Sequence, residues 1–438
     1  MTLVDLTPRS VRTARLTTLP VMVIGAGPIG LAAAANLLER GIDFTVLEAG
    51  EQAGSSIRLW GHTRLFSPWR HLVDPVSRRL LEASGWMTPD DEGRAPTGEQ
   101  LVDDYLTPLA ELDEIRAHVR FGTRVVAVSR DGMDRTRTAG RETTPFLVRV
   151  QTSDGRFEEL TARAVIDASG TYATPNPLSS SGLDPIGVSD VADVVVHALP
   201  NVLGADRERF AQKHTTVVGA GHSAANTLIA LAELARAEPG TRVTWLIRNP
   251  SAIRVSSSTD DELADRARLG SRVDQLVDSG AIAKIDSFEI ARISRHGAGL
   301  RLVGTHHGEP SAHDSDLVVN ATGFRPDLSM LREIRLSLDE TVEAPTRLAP
   351  LIDPNVHSCG TVSPHGFAEL QHPEPGFFIV GMKSYGRAPT FLLATGYEQV
   401  RSIVAWLDGD MHSASEVQLR LPATGVCSTT LDGGSCCG

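Results

Sequence analysis

The sequence predicts an α/β fold built from two dinucleotide-binding units on three observations. Val21-Met-Val-Ile-Gly25-Ala-Gly27-Pro-Ile-Gly30 stands near the start of the chain, and Thr216-Val-Val-Gly219-Ala-Gly221-His-Ser-Ala224 repeats the pattern in its middle. In both, an apolar run that reads as a buried strand meets a glycine-rich turn and then a helix of small residues. That arrangement presents a helix N-terminus to a pyrophosphate. Third, an acid, Glu48, ends the next strand of the first unit, at the spacing where a ribose hydroxyl pair is held.

At 438 residues the chain exceeds what one ordinary core supports, so two domains are expected. Charged residues at 22% and apolar residues at 41% fit a globular protein rather than a disordered one. A net charge of −12 argues against nucleic acid or an anionic membrane surface as the main partner. No apolar run is long enough to span a bilayer; residues 21–38 come nearest, and Pro28 with three glycines interrupts them. That stretch also lacks a credible secretory cleavage site, so the expected location is the cytoplasm.

Residues 1–19 read as a polar lead-in without periodicity. After the strand at 21–24, a helix is predicted from Pro28 to Arg40, with proline at its first position and Gly41 just beyond its end. A strand at 42–47 follows, then a Trp-, Arg- and His-rich loop over 57–69. Thr97-Gly-Glu-Gln100 is a capping box ahead of a helix reaching His118, bent at Pro108. The runs 121–129, 146–151 and 157–167 predict a β-meander, and the Pro/Ser-rich stretch 174–183 a linker. In the second unit a strand starting near Thr215 leads to a helix over 223–235, a break at Gly240 and a strand at 242–247. Thr259-Asp-Asp-Glu262 caps another helix, and 317–321 reads as a buried strand. A late strand at 377–380 runs into Gly381, and a helix from Thr390 to Leu407 contains Gly396. The implied division is a first unit over 1–183 and 346–410, a second over 184–345, and a tail over 411–438.

Each glycine has its own task. Gly25 allows the tight turn, Gly27 lets the backbone approach the pyrophosphate, and Gly30 lets helix and strand pack closely. The second string carries Ala224 where a third glycine often stands. Its next strand ends in Arg248 rather than an acid, and a cation there meets a 2′-phosphate, favouring NADPH over NADH. One such unit binds one dinucleotide. Two imply a pair, usually a flavin and a nicotinamide.

These strings, with Asp167-Ala-Ser-Gly170-Thr-Tyr and Ala321-Thr-Gly323-Phe, make residues 20–407 resemble the flavin-dependent monooxygenases and, more distantly, the pyridine nucleotide-disulfide reductases. The resemblance implies FAD on the first, discontinuous unit and NADPH on the second, Rossmann-like unit inserted into it. It puts crossings between the units at the Asp-Ala-Ser-Gly and Ala-Thr-Gly segments, with Gly170 and Gly323 beside the cofactors. It also implies that Gly381 and the helix from Thr390 cap the flavin ring with a positive helix end. The residues expected to contact the cofactors are Gly25, Gly27, Pro28, Ile29, Gly30, Glu48, Trp60, Gly170, Gly381, Thr390 and Phe391, and Gly219, Gly221, His222, Ser223, Ala224, Arg248 and Gly323. Two departures matter. The monooxygenase signature Phe-x-Gly-x-x-x-His-x-x-x-Trp/Tyr is not intact, with only Gly187 and His197 near it. The chain has no Cys-x-x-Cys or Cys-x4-Cys pair, which argues against dithiol exchange at the flavin.

Trp60-Gly-His-Thr-Arg-Leu-Phe-Ser-Pro-Trp69 and Gly381-Met-Lys-Ser-Tyr-Gly-Arg-Ala-Pro-Thr390-Phe-Leu-Leu are most similar to the flavin monooxygenase-like proteins that accompany bacterial arsenic-resistance genes. The cysteines are Cys359, Cys427, Cys436 and Cys437; three crowd the last dozen residues and so frame no disulfide scaffold. As thiolates, Cys427, Cys436 and Cys437 are soft ligands suited to a trivalent metalloid. The ending Gly-Ser-Cys436-Cys437-Gly resembles the C-terminus of mercuric reductases. Trp60, Phe66 and Trp69 are candidates for a wall that excludes water, and Arg58, His62 and Lys383 for acid–base work.

The expected activity is therefore that of an FAD-containing, NADPH-dependent oxidoreductase. It is read as a monooxygenase acting with O2 on a small-molecule or metalloid substrate and linked to metalloid detoxification. A reductase of a thiol-bound metalloid and a flavin-fold metalloid-binding protein stay open, as does a homodimer.

Overall fold

The computed structural model describes residues 16–89, 91–250, 264–354, 364–388 and 391–419. Strand β1 (Val21–Ile24) leads into helix α1 (Pro28–Glu39), then β2 (Phe44–Leu47), helix α2 (Pro75–Ala83) and β3 (Val119–Arg120). Strands β4 (Thr123–Arg130), β5 (Phe146–Thr152) and β6 (Phe157–Ala162) form an antiparallel meander, and β7 (Ala164–Asp167) follows. Next come β8 (Val195–His197), β9 (His214–Val218), helix α3 (His222–Ala237), β10 (Arg242–Leu246), helix α4 (Ala264–Asp278) and β11 (Ala283–Ile285). A second meander, β12 (Phe288–His296), β13 (Gly299–His306) and β14 (Glu309–Ser315), precedes β15 (Leu317–Asn320), β16 (Phe377–Ile379) and helix α5 (Leu393–Asp408).

Two five-stranded sheets, ordered β16-β7-β1-β2-β3 and β11-β10-β9-β15-β8, are parallel throughout. The glycine-bearing strand, β1 or β9, is central in each. Such sheets are covered on both faces, which is why their strands read as unbroken apolar runs. In β1, Val21 and Val23 join a core with α1 and α5, while Met22 and Ile24 face the β4–β6 meander. Residues between Leu178 and Ala321 build a separate core around the second sheet. The α/β class with parallel dinucleotide-type sheets is thus as predicted, and the first sheet draws β16 from beyond the second.

Several expectations change. The run 157–167 is two strands. β6 ends at Ala162, the Arg163 N–H bonds to the Pro20 carbonyl at 3.0 Å, and β7 then joins the parallel sheet. The helix expected over 98–118 is broken. Both halves of the Thr97–Gln100 capping box form, but the chain then makes a π-helical turn, Val102–Leu106, resumes as α-helix over Thr107–Ala110, breaks and restarts at Asp113–Arg116. Pro108 has no N–H for the Asp104 carbonyl four residues back, and Trp86 Nε1–H donates to that oxygen instead, at 2.8 Å. The helix expected from Thr390 begins at Leu393. Thr390 itself and the Thr259–Glu262 cap lie outside the described residues. Among the described residues, no helix is long and apolar enough to cross a membrane.

Candidate functional site

Open parallel sheets bind ligands beyond the carboxyl ends of their strands. At that edge of the first sheet, register brings four segments together. Ile24 pairs with Leu47 on one side and Asp167 on the other, and Asp167 pairs with Ile379. The Gly25 turn, Glu48, the stretch from Asp167 to Gly170, and Gly381 are therefore neighbours.

The glycines divide the work by geometry. Gly25 takes φ +100°, and a Cβ there would fall 2.9 Å from the Ala168 carbonyl oxygen. A Cβ at Gly30 would overlap the Gly25 carbonyl, so α1 packs directly on the turn. Gly27 is different. Its φ of −82° suits any residue, and among the described residues no atom beyond its chain neighbours lies within 4 Å of where its Cβ would stand. Gly27 is also the N-cap of α1, which has no side-chain cap and no acid in its first turn. An uncapped helix start beside an open cradle fits a pyrophosphate. Glu48 bends over the same turn, with Oε2 accepting from Ala26 N–H at 2.7 Å and Oε1 from Gly50 N–H at 2.8 Å.

The second unit repeats this geometry. Gly219 takes φ +136°, and a Cβ there would overlap the Ala321 carbonyl. Gly221 caps α3 without a side-chain bond and also has open space at its Cβ position, while Ala224 is fully buried. Trp245 Nε1–H fixes the turn by donating to the Gly219 carbonyl at 2.7 Å. Arg248 is exposed just past the end of β10, and Ser223 lies in the first turn of α3.

The two crossings are tied together. Asn176 N–H donates to the Gly323 carbonyl at 2.9 Å, while the Asn176 carbonyl accepts from Asn320 Nδ2 and Thr322 Oγ1, both at 2.9 Å. Arg325 N–H reaches the Thr174 carbonyl at 3.0 Å. Gly170 (φ +70°) and Gly323 (φ +97°) sit on these two strips. The rings of Tyr172, His197 and Phe324 cluster here, with centroids 4.6 to 5.5 Å apart.

Beneath the first turn lies a buried polar layer. Lys383 Nζ donates to Asp167 Oδ2 at 2.7 Å and to Ser169 Oγ at 3.0 Å. Gln399, on α5, accepts the Gly381 N–H at 2.8 Å and bonds Ser384 Oγ and His365 Nε2 at 2.9 Å. Lys383 is therefore one half of an internal ion pair. Gly381, at φ +68°, abuts Ile29, and Gly396 leaves room for both Ile29 and Phe391. Ile29 thereby connects α1 to the turn after β16.

The aromatic loop divides. Trp69 is in the core, 5% exposed, and cannot line a cavity wall as expected. The Trp60 ring lies against Gly98, 2.8 Å from where a Cβ would be, so it braces the capping box. Phe66 reaches the second unit, 5.3 Å from the ring of His222 at the start of α3. Arg58 pairs with Asp103 at 2.7 Å, and His62 is exposed. Cys359, Cys427, Cys436 and Cys437 lie outside the described residues. Sequence reasoning missed Asn176 and Gln399; a glutamine among the apolar positions of a late helix was the available signal for the latter.

Comparison with known proteins agrees with this architecture. The indole-3-pyruvate monooxygenase YUCCA6 of Arabidopsis thaliana is 30% identical over 203 residues, 46% of this chain and 42% of the relative. The chain thus matches less than half the length of that curated relative. The bacillithiol disulfide reductase of Bacillus cereus superimposes with a TM-score of 0.66 at 22% identity, covering 89% of this chain and 99% of that one. An ornithine N-hydroxylase of Kutzneria sp. 744, solved with reduced FAD, NADP+ and L-ornithine, gives a TM-score of 0.59 at 17% identity over 91% and 98%. At such identities these likenesses carry the fold. The family model for pyridine nucleotide-disulphide oxidoreductases matches residues 22–347, most of the chain, and the chain belongs to that family.

Proposed function

We propose that this chain is an FAD- and NADPH-dependent oxidoreductase of the monooxygenase type, with FAD on residues 1–183 and 346–410 and NADPH on 184–345. One observation carries the reading: each parallel sheet ends in an uncapped helix start beside a glycine whose Cβ position is open. In this reading the FAD pyrophosphate lies on Gly25, Gly27 and Gly30, and its ribose on Glu48. Gly170, Trp60, Gly381, Phe391 and Thr390 surround the rest. The NADPH pyrophosphate lies on Gly219, Gly221, His222, Ser223 and Ala224, beside Gly323, and Arg248 meets the 2′-phosphate. FAD, when bound, supplies a two-electron carrier between NADPH and O2 or another acceptor. The chain itself binds, orients and shields. Phe66 carries the first unit's loop onto the start of α3, where it helps keep water out.

The substrate class is a small molecule, and the tail thiolates Cys427, Cys436 and Cys437 favour a trivalent metalloid within that class. The test is direct. Purified protein should be yellow, should oxidise NADPH in preference to NADH, and should couple that oxidation to O2 uptake. Arsenite should raise turnover in the parent and not in Cys436→Ser/Cys437→Ser. A chain that shows no visible-band absorption, even after reconstitution with FAD, would overturn the assignment.

A further inference from the structure

The β13–β14 hairpin carries side chains that the cofactor reading leaves unused. His306 ends β13, His307 and Gly308 make the two-residue turn, and Glu309 opens β14 opposite His306. Both turn residues have positive φ, +51° and +84°. This is the primed hairpin geometry, in which a non-glycine residue such as His307 takes the left-handed region. Its left-handed backbone also undoes the alternation that sends successive strand side chains to opposite faces. The rings of His306 and His307 lie 4.4 Å apart, centroid to centroid.

Across from them, the chain between β11 and β12 takes a second left-handed step at Ser287, φ +50°. The Ser287 carbonyl accepts the His307 backbone N–H at 3.0 Å. That bond holds Asp286 against the hairpin, with its Oδ1 3.3 Å from His307 Nε2. One nitrogen from each histidine and one Asp286 oxygen all lie within 4.8 Å of one another. A tetrahedral centre with bonds of ~2.0–2.1 Å separates its ligand atoms by ~3.3 Å. Asp286 and His307 already have that separation, and a His306 nitrogen completes the set within 4.8 Å. Buried Phe288, 6.3 Å from the His306 ring, backs it.

We propose that Asp286, His306 and His307 form a binding site for a divalent transition-metal ion of the zinc or nickel kind, with solvent completing its coordination. Two imidazoles and a carboxylate, without thiolate, suit such ions better than soft ones. The test is calorimetric titration of the untagged full-length chain with Ni2+ alone. A Cys427→Ser/Cys436→Ser/Cys437→Ser background keeps the tail thiols from competing. One Ni2+ per chain is expected, with affinity falling by about tenfold or more in His306→Ala and in His307→Asn. Asparagine suits the left-handed turn, so a loss in His307→Asn with unchanged circular dichroism reports lost ligation rather than a broken hairpin. His296→Ala, which removes an exposed imidazole elsewhere on the same meander, should leave the titration unchanged. Absence of Ni2+ uptake by the parent, or superimposable titrations of parent, His306→Ala and His307→Asn, would overturn the proposal.

Discussion

Lys383 Nζ lies 2.7 Å from Asp167 Oδ2, and both side chains are buried. The pair joins the end of β7 to the turn after β16, the two strands that sit side by side at the first sheet's edge. Removing one member leaves the other charged and unpartnered by it in a dry environment, which costs about 3–5 kcal/mol. Lys383→Met is therefore expected to lower the urea-unfolding free energy by that amount. Lys383→Met/Asp167→Asn, with no net charge left behind, should recover much of the loss. A double variant as unstable as the single one would show that the charge is not the cause.

Gly27 and Gly30 make opposite demands. At position 27 a Cβ meets no atom of the described residues beyond its chain neighbours, and φ is ordinary. Gly27→Val should therefore unfold at the Tm of the FAD-free parent yet be purified colourless, because its side chain fills the place assigned to the pyrophosphate. A valine at position 30 meets the Gly25 carbonyl. Gly30→Val should lose about 3 kcal/mol of stability before any question of binding arises. A fully yellow Gly27→Val would count against the FAD assignment.

Arg248 tests the nucleotide choice. A hydrogen bond to a charged group contributes about 1.5–3 kcal/mol, which corresponds to roughly 10- to 150-fold in binding. Steady-state assays of Arg248→Ala should show the KM for NADPH rising by a factor in that range while the KM for NADH barely moves. Equal changes for both coenzymes would remove the 2′-phosphate from Arg248.

Asp74 predicts a pH dependence of stability. It caps α2, accepting from the Ser77 N–H at 2.8 Å, and burial pushes its carboxyl up to about 6. The unfolded value is about 3.9, so the folded chain holds this proton longer. The corresponding stability is fully present below about pH 4 and is lost as pH rises through about 6. Asp74→Asn keeps an oxygen for the Ser77 N–H and has no proton to lose. Urea unfolding at pH values on either side of this window should show the variant gaining about 2–3 kcal/mol on the parent as pH rises. Parallel profiles would remove Asp74 as the source.

The parallel strands and both glycine turns could be read directly, because a strand covered on two faces has no polar alternation to blur it. The β12–β14 meander could not. Its outward positions carry Glu289, Arg292 and Arg295, and a register shift between Ile290 and Arg292 breaks the alternation that marks a strand. The buried layer was equally hidden. Gln399 finds its partners at Gly381 and His365, and Lys383 finds Asp167 216 residues away, pairings that depend on the completed sheet. Trp69 shows the converse error: an aromatic in a polar loop suggested a lining residue, yet it packs in the core.

Asn176 laces the outgoing and returning strips of chain into one narrow ribbon. A two-stranded ribbon resists shear and stretch far better than it resists torsion, so it acts as a pivot pin. Any reorientation of the second unit would thus turn about that ribbon, and it would change the tilted contact of Phe66 with His222, whose ring centroids lie 5.3 Å apart.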